Sequence, residues 1–140
     1  LVTKVESIQS EFEQEKEAGP GLTIGVSTTL DPSLTRSDSM AGSVITSLDT
    51  NINVSNKITV KYFPLENKES SVFKKGIQKN EPVLVNVLSS KALGIVSYIS
   101  NDKVDIIFEN TVVPFFEKDK VIISRRVDNV WVLAGYGIIL

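Results

Sequence analysis

The chain has 140 residues, of which 41% are hydrophobic and 23% charged, a composition typical of one globular domain or of one small domain with part of another. It has no cysteine, which excludes disulfides and thiolate metal sites, and no histidine, which removes the commonest general base and most zinc chemistry. No stretch has the length and apolar character that a membrane-spanning helix needs, and no leader pattern opens the chain. Because the first residue is Leu1 and not methionine, we expect a piece of a longer protein.

The net charge of −2 hides three regions of different sign. Residues 1–50 carry 3 basic and 8 acidic side chains, residues 51–100 carry 7 and 3, and residues 101–140 carry 5 and 6. The basic middle region is therefore the better candidate for an RNA or acidic-protein surface. Solvated lysines that keep the domain soluble are the alternative.

The first fifty residues predict strands separated by turns. Leu22, Ile24 and Val26 alternate with polar residues, which is the period of a half-buried strand. The acidic run Glu11–Glu17 is expected to be an exposed strand end or loop whose carboxylates form a solvated edge, not an acid–base pair. The predicted strands of this part are Val2–Phe12, Leu22–Val26 and Gly42–Leu48.

A loop of hydroxyl and charged residues, Asp31–Asp38, follows the second of these strands. Asp31 precedes Pro32, so its carboxylate is expected to cap its own turn. Arg36 and Asp38 are expected to point into solvent, where a partner could meet them. The alternative is a solvated loop with a weak local ion pair.

The rest of the chain predicts an all-β fold. Short strands separated by Asn, Asp, Gly and Ser turns are typical of a small antiparallel barrel or sandwich. The polar stretch Asp49–Asn56 marks the expected boundary between domains 1–50 and 51–140, and Glu66–Lys75 is expected to be a surface loop. Gly135 and Gly137 suit a bulge or a barrel bend. The predicted strands are Ile58–Phe63, Val83–Leu88, Gly94–Ile99, Val104–Phe108, Val121–Arg125 and Val130–Ile139.

Three further residues are candidates for contacts with a partner. Neighbours in a strand face opposite sides, so one of Arg125 and Arg126 is expected to point inward and the other outward. The inward arginine needs a carboxylate, and the exposed arginine suits phosphate. Phe116 follows another phenylalanine, and since both cannot face one core, it is a candidate interface residue. The carboxylates considered for the inward arginine are Glu117, Asp119 and Asp128.

The sequence predicts no catalytic residue, no metal site and no cofactor of its own. No serine stands in a nucleophile-elbow context, and no G-x-x-x-x-G-K-[ST] phosphate loop occurs.

Two sets of residues carry a resemblance to a known family. In order and spacing they resemble the second and third domains of the gamma subunit of eukaryotic and archaeal translation initiation factor 2. The first set is Pro20-Gly21, Ile24-Gly25-Val26, Thr28, Leu30-Asp31-Pro32, Leu34-Thr35-Arg36, Asp38, Met40, Gly42 and Val44. The second is Asn80-Glu81, Val85-Asn86, Ser89, Gly94, Val96, Ile123-Ser124-Arg125-Arg126-Val127, Trp131, Leu133, Gly135 and Gly137.

This resemblance implies the later part of one β-barrel followed by a complete translation-factor barrel. It also implies a cytoplasmic, non-catalytic part of a protein that carries initiator methionyl-tRNA to the small ribosomal subunit with GTP and Mg²⁺. The implied partners are the alpha and beta subunits, that tRNA, the small ribosomal subunit and an ATP-grasp assembly chaperone on the third domain. Asp31, Arg36 and Asp38 are then candidates for the alpha subunit or the tRNA end, and Arg125, Arg126 and Phe116 for tRNA phosphate or the chaperone.

Two alternatives stay open at this point. The barrels of the selenocysteine-specific elongation factor are related, although the motifs Leu30-Asp31-Pro32 and Ser124-Arg125-Arg126 favour the initiation factor. A free-standing barrel that binds RNA through the basic region 57–91 is the other alternative, and it predicts a steep dependence of binding on salt.

Overall fold

A computed structural model describes residues 1–11, 13–65 and 75–140. The chain divides into two compact units, Leu1–Met40 and Ala41–Leu140. Most of the predicted surface loop Glu66–Lys75 lies outside the described residues. None of the helices in the described ranges has the length and apolar character needed to cross a membrane.

The first unit is a small antiparallel sheet followed by a short 3₁₀ helix. Its strands are β1 (Val5–Gln9), β2 (Gln14–Glu15) and β3 (Gly25–Thr28), in the order β2-β1-β3. The helical segment spans Pro32–Asp38 and is kinked at Arg36 and Ser37, whose backbone is not helical. None of the unit's described residues is buried, so hydrogen bonds between strands hold the sheet with little apolar packing. Strand β3 begins after Leu22 and Ile24, which the alternation had included in the predicted strand.

The second unit contains a closed six-stranded barrel. The barrel strands are β5 (Lys57–Pro64), β6 (Pro82–Val87), β7 (Ser90–Ser100), β8 (Lys103–Ile107), β10 (Lys120–Val127) and β11 (Val130–Ile139). Every pair of neighbouring strands is antiparallel, and the order β10-β11-β5-β8-β7-β6 closes because β6 pairs with β10. All six strands predicted between Ile58 and Ile139 are present, which confirms the all-β fold.

Side chains that alternate between the inside and the outside of the strands fill this barrel. On β6, Val83, Val85 and Val87 are fully buried, while the residues between them face outward. Branched aliphatic side chains suit the pleated surface of a strand, and burying each is worth about 1.5–3 kcal/mol. Phe108 is the largest fully buried side chain, and it lies just after β8.

A two-stranded ribbon outside the barrel was missed by the sequence analysis. It pairs β4 (Asn53–Ser55) with β9 (Val113–Phe115). Strand β4 falls within the polar stretch that was interpreted as a domain boundary. Each of these strands has only three residues, too few to show a period of two, so only its partner strand defines it.

The predicted strand Gly42–Leu48 is wrong, because this segment forms turns and irregular backbone. Gly42 adopts a φ of +86°, in the left-handed region that strands exclude. Its carbonyl accepts a hydrogen bond of 2.6 Å from the Ser90 hydroxyl, and the Ser43 carbonyl accepts one of 3.3 Å from Ser89. Side chains of the barrel therefore take the place of a neighbouring strand.

The predicted bulge in the last strand is present. Ile123 lies opposite Gly135, and the next residue, Ser124, lies opposite Leu133, so Ala134 is the extra residue. A bulge reverses the parity of the strand, so Trp131 and Tyr136, five residues apart, both lie on the outer side of the barrel.

We expect Gly137→Ala to destabilise the barrel by about 1–3 kcal/mol, because overpacking a dense core forces its neighbours to move. A Cβ at this position would lie 2.8 Å from the Val60 Cβ and 3.1 Å from the Val121 Cγ2. Urea denaturation measures the free energy of unfolding. Gly19→Ala is the matched control, since a Cβ there meets nothing within 4 Å. Equal stability of the two variants would contradict the close packing.

Candidate functional site

The carboxylate of Asp31 fixes the backbone of the loop that follows β3. The Ser33 amide donates a 2.8 Å hydrogen bond to the Asp31 Oδ1, which caps the 3₁₀ helix as the sequence predicted. This bond stabilises the carboxylate and lowers the pKa of Asp31. Arg36 and Asp38 are exposed, and no salt bridge joins these two described side chains. The loop thus presents both charges to solvent.

The predicted division between the two adjacent arginines is confirmed, with Arg125 inside the barrel and Arg126 outside. Arg125 is only 3% exposed, and its partner is Glu81, not any of the three carboxylates considered from the sequence. The guanidinium donates two bonds, Nε to Oε1 at 2.6 Å and Nη2 to Oε2 at 3.0 Å. Since Glu81 precedes β6 by one residue, only the pairing of β6 with β10 brings it to the arginine. Arg125 is therefore structural and inaccessible to phosphate.

Tyr62 adds a polar group beside this ion pair. Burial raises the pKa of the Tyr62 hydroxyl, which the charge of Arg125 opposes and that of Glu81 reinforces. The hydroxyl donates a 3.1 Å hydrogen bond to the carbonyl of Ala134, the bulge residue. The tyrosine thus stabilises the bulge, and it remains protonated at neutral pH.

The other two candidate residues lie on the surface. Arg126 is exposed on β10, opposite Trp131 on β11. Phe116 is half-buried, and its backbone amide donates a 2.9 Å hydrogen bond to the Asp119 carboxylate. Its neighbour Phe115 packs against the core instead, which agrees with the expectation that the two rings separate.

The structure also forms a surface cluster that the sequence analysis did not find. Lys103 of β8 lies directly opposite Lys61 of β5, Lys61 lies opposite Ile138 of β11, and Ile138 lies opposite Lys120 of β10. We call Lys103, Lys61 and Lys120 the lysine row. With strands about 4.8 Å apart, the row spans about 14 Å of the outer barrel surface.

Two aromatic rings border the lysine row. Phe63 and Tyr136 are cross-strand partners whose rings stack with centroids 4.9 Å apart and an interplanar angle of 13°. The Lys61 ammonium lies 5.6 Å from the centre of the Phe63 ring, within range of a cation–π contact. We call the lysine row with these two rings the lysine–aromatic face.

The lysine–aromatic face lowers the stability of the fold. Lys61 and Lys103 are like charges directly opposite each other, an arrangement that destabilises a sheet. Asp102 offsets part of the repulsion through a 3.2 Å salt bridge to Lys61, but both of these side chains are about half exposed, so the bridge contributes little. Three ammonium groups beside exposed aromatic carbon can bind the phosphates and bases of a nucleic acid.

Comparison with known proteins identifies the family. Residues 50–139 match the family model described as Initiation factor eIF2 gamma, C terminal. The chain belongs to the eIF2 gamma family. The translation initiation factor 2 gamma subunit of Methanococcus vannielii is 34% identical over 143 residues, and that of Sulfurisphaera tokodaii is 31% identical over 144. These matches cover 100% and 99% of this chain but only 35% and 34% of the relatives.

The fold is shared more widely than the eIF2 gamma family. The apo crystal structure of translation elongation factor SelB from Methanococcus maripaludis superposes with a TM-score of 0.67, over 98% of this chain and 33% of that chain. Its sequence identity is 22%, so this likeness shows the fold alone. The family match is therefore what distinguishes the initiation factor from the selenocysteine-specific alternative.

No local pattern in the sequence of this eIF2 gamma chain marks the lysine row, because only the register of the paired strands brings its members together. Its members are 17 or more positions apart in sequence, with opposite-sign or apolar neighbours, so no local run of charge marks them. Pairing the predicted strands in the correct order could have found them, because Lys61 and Lys103 both lie at outward positions near a strand end.

We expect Arg125→Met to lower the free energy of unfolding by about 3–5 kcal/mol, because it leaves the Glu81 carboxylate without its buried partner. The double variant Arg125→Met with Glu81→Met is expected to regain most of this loss, since no unpaired charge remains. Urea denaturation of both variants measures the difference. A single variant that loses less than about 1 kcal/mol would contradict a structural role for the pair.

Proposed function

We propose that this chain is a non-catalytic docking part of an initiation factor 2 gamma subunit. In the whole protein, GTP and Mg²⁺ would be bound outside this chain, and initiator methionyl-tRNA would be delivered to the small ribosomal subunit in the cytoplasm. The family membership supports the role in translation initiation, and the lysine–aromatic face supports a docking role on RNA.

The lysine–aromatic face is the observation that carries the RNA proposal. Lys103 and Lys120 are exposed, and neither forms a salt bridge with a described carboxylate. Each can therefore replace a counterion on a phosphate, which is the main source of affinity in RNA binding. Tyr136 is 38% exposed and offers an apolar surface on β11, between the strands that carry Lys120 and Lys61. The RNA partner would be the initiator tRNA or the small-subunit RNA.

The proposed protein partners are the alpha and beta subunits and an ATP-grasp assembly chaperone. The Asp31–Asp38 loop is the proposed contact for the alpha subunit or the tRNA end, because its turn is fixed by Asp31 while Arg36 and Asp38 stay available. Arg126 and Phe116 are the remaining surface candidates for the tRNA or the chaperone. Arg125 is no longer proposed as a contact, since Glu81 binds it inside the barrel.

We expect Lys103→Gln with Lys120→Gln to reduce the salt dependence of RNA binding. The slope of log affinity against log salt falls by about 0.7–1 for each lost phosphate contact, so the double variant should lose about 2. Fluorescence anisotropy with a labelled initiator tRNA transcript measures this slope. Lys75→Gln with Lys79→Gln removes the same charge from the turn before β6 and is the control. An equal change in both double variants would contradict a specific role for the lysine–aromatic face.

We expect Arg36→Glu to abolish saturable binding of the alpha subunit's C-terminal domain, because the reversed charge repels a partner selected by the arginine. Isothermal titration calorimetry measures the affinity. Lys16→Glu makes the same charge change on another exposed position of the first unit and should leave binding intact. Binding that survives Arg36→Glu would place the interface away from the Asp31–Asp38 loop. The absence of binding by the folded parent chain would contradict the proposed contact with the alpha subunit.

A further inference from the structure

Four adjacent strands of the barrel present an outer face without a single carboxylate. The outward positions of β11, β10, β6 and β7 alternate with buried ones and carry apolar, small polar and cationic residues. This distribution is unusual in a chain with 17 acidic residues. The outward residues are Trp131, Leu133, Tyr136 and Ile138 on β11, Lys120, Ile122, Ser124 and Arg126 on β10, Pro82, Leu84 and Asn86 on β6, and Lys91, Leu93, Ile95, Tyr98 and Ser100 on β7.

At the centre of this face the short side chain of Ser124 lies between longer apolar side chains, and this difference in length leaves a depression. Ser124 lies opposite Leu133 on one side and Leu84 on the other, and Leu84 lies opposite Leu93. Ile122 lies two residues away along β10, on the same side of the strand. Leu93, Ile122 and Leu133 are 57%, 47% and 46% exposed. Apolar side chains thus surround a serine, and together they form a contiguous apolar patch of the kind that marks interaction surfaces.

One cation completes the rim of the depression. Arg126 follows Ser124 by two residues, so its Cα lies about 6.7 Å further along the outer side of β10. The guanidinium is exposed, and no described carboxylate forms a salt bridge with it. Because the face holds cations and no anion, a partner that covers it must bring its own carboxylate to pair with the arginine.

We propose that this face binds an amphipathic helix of a partner protein, with one apolar side chain seated over Ser124 and one carboxylate paired with Arg126. We call Ser124, Leu84, Leu133, Ile122 and Arg126 the serine depression. A helix lying across the strands matches their spacing, since three residues of helix rise about 4.5 Å and adjacent strands lie about 4.8 Å apart. Residues i and i+7 of that helix then lie over Leu133 and Leu84, two strands apart.

The proposal is independent of RNA binding by the lysine–aromatic face. The serine depression contains a single cation and no aromatic ring, so it offers one phosphate contact and no platform on which a base could stack. Arginine is instead enriched at the energetically important centres of protein interfaces, where the contacts around it exclude water.

Two designed helical peptides test the proposal. Each has about 20 residues, a length at which an isolated helix is stable enough to bind. Both carry leucine at i, i+3 and i+7, and one has glutamate where the other has lysine on the flank of the leucine stripe. Fluorescence anisotropy measures their binding to the 140-residue chain. The acidic peptide is expected to bind saturably, and Ser124→Trp and Arg126→Glu are each expected to weaken it about tenfold or more.

Charge reversal gives the decisive comparison. The lysine peptide is expected to bind the Arg126→Glu variant better than the parent chain, which a loss of folding cannot produce. Lys118→Glu is the matched control, since it makes the same charge change in the turn before β10. Equal weakening by Lys118→Glu, or no binding to a parent chain that unfolds cooperatively, would overturn the proposal. If the Arg126→Glu variant loses tRNA binding and the parent chain binds neither peptide, the face binds RNA and the proposal is overturned as well.

Discussion

Strand β10 pairs with β11 on one side and with β6 on the other, and this double pairing closes the barrel. Once closed, the sheet has no free edge in the barrel, so every strand of the ring is fixed in register by two neighbours. A slip of one residue on β10 would exchange its inner and outer faces. It would expel Val121 and Ile123 from the core and bury Ile122, Ser124 and Arg126 in their place. The register of this strand therefore decides which side chains are structural and which are available to partners.

The ion pair between Arg125 and Glu81 is tied to that register. It joins β10 to the residue that precedes β6, and its two hydrogen bonds form only when Arg125 points inward at this level of the barrel. A buried pair adds little stability over apolar side chains of the same shape, but separating its members leaves an uncompensated charge. The pair thus penalises alternative registers more than it stabilises the correct one. The hydroxyl of Tyr62 extends the same polar group to the bulge at Ala134, where the parity of β11 changes.

The barrel is a rigid support for two outer surfaces of different chemistry. The lysine row lies across the four strands β8, β5, β11 and β10, where cations from distant parts of the chain converge. The serine depression lies across β11, β10 and β6, where the outer face has no carboxylate and carries leucine and isoleucine side chains. Surfaces on a fixed backbone suit the proposed docking role, because preorganisation reduces the entropy lost on binding. A member of the eIF2 gamma family that presents both surfaces could hold RNA and protein on adjoining sides of one barrel.

Much of the architecture could be predicted from the sequence, because each of the six barrel strands is a short run of β-forming residues bounded by turn residues. The family resemblance and the separation of Arg125 from Arg126 depended on equally local information. The false strand at Gly42–Leu48 and the missed strands β4 and β9 share one cause, which is that hydrogen-bond partners far along the chain decided their backbone. The same cause explains why Glu81 was not considered for Arg125, since it lies 44 residues away. The sequence by itself determined the six barrel strands and the separation of Arg125 from Arg126, since β-propensity, the pleat and turn chemistry act over a few residues. Only the tertiary structure decided which strands are neighbours, and the lysine row, the buried ion pair and the serine depression exist only through that order.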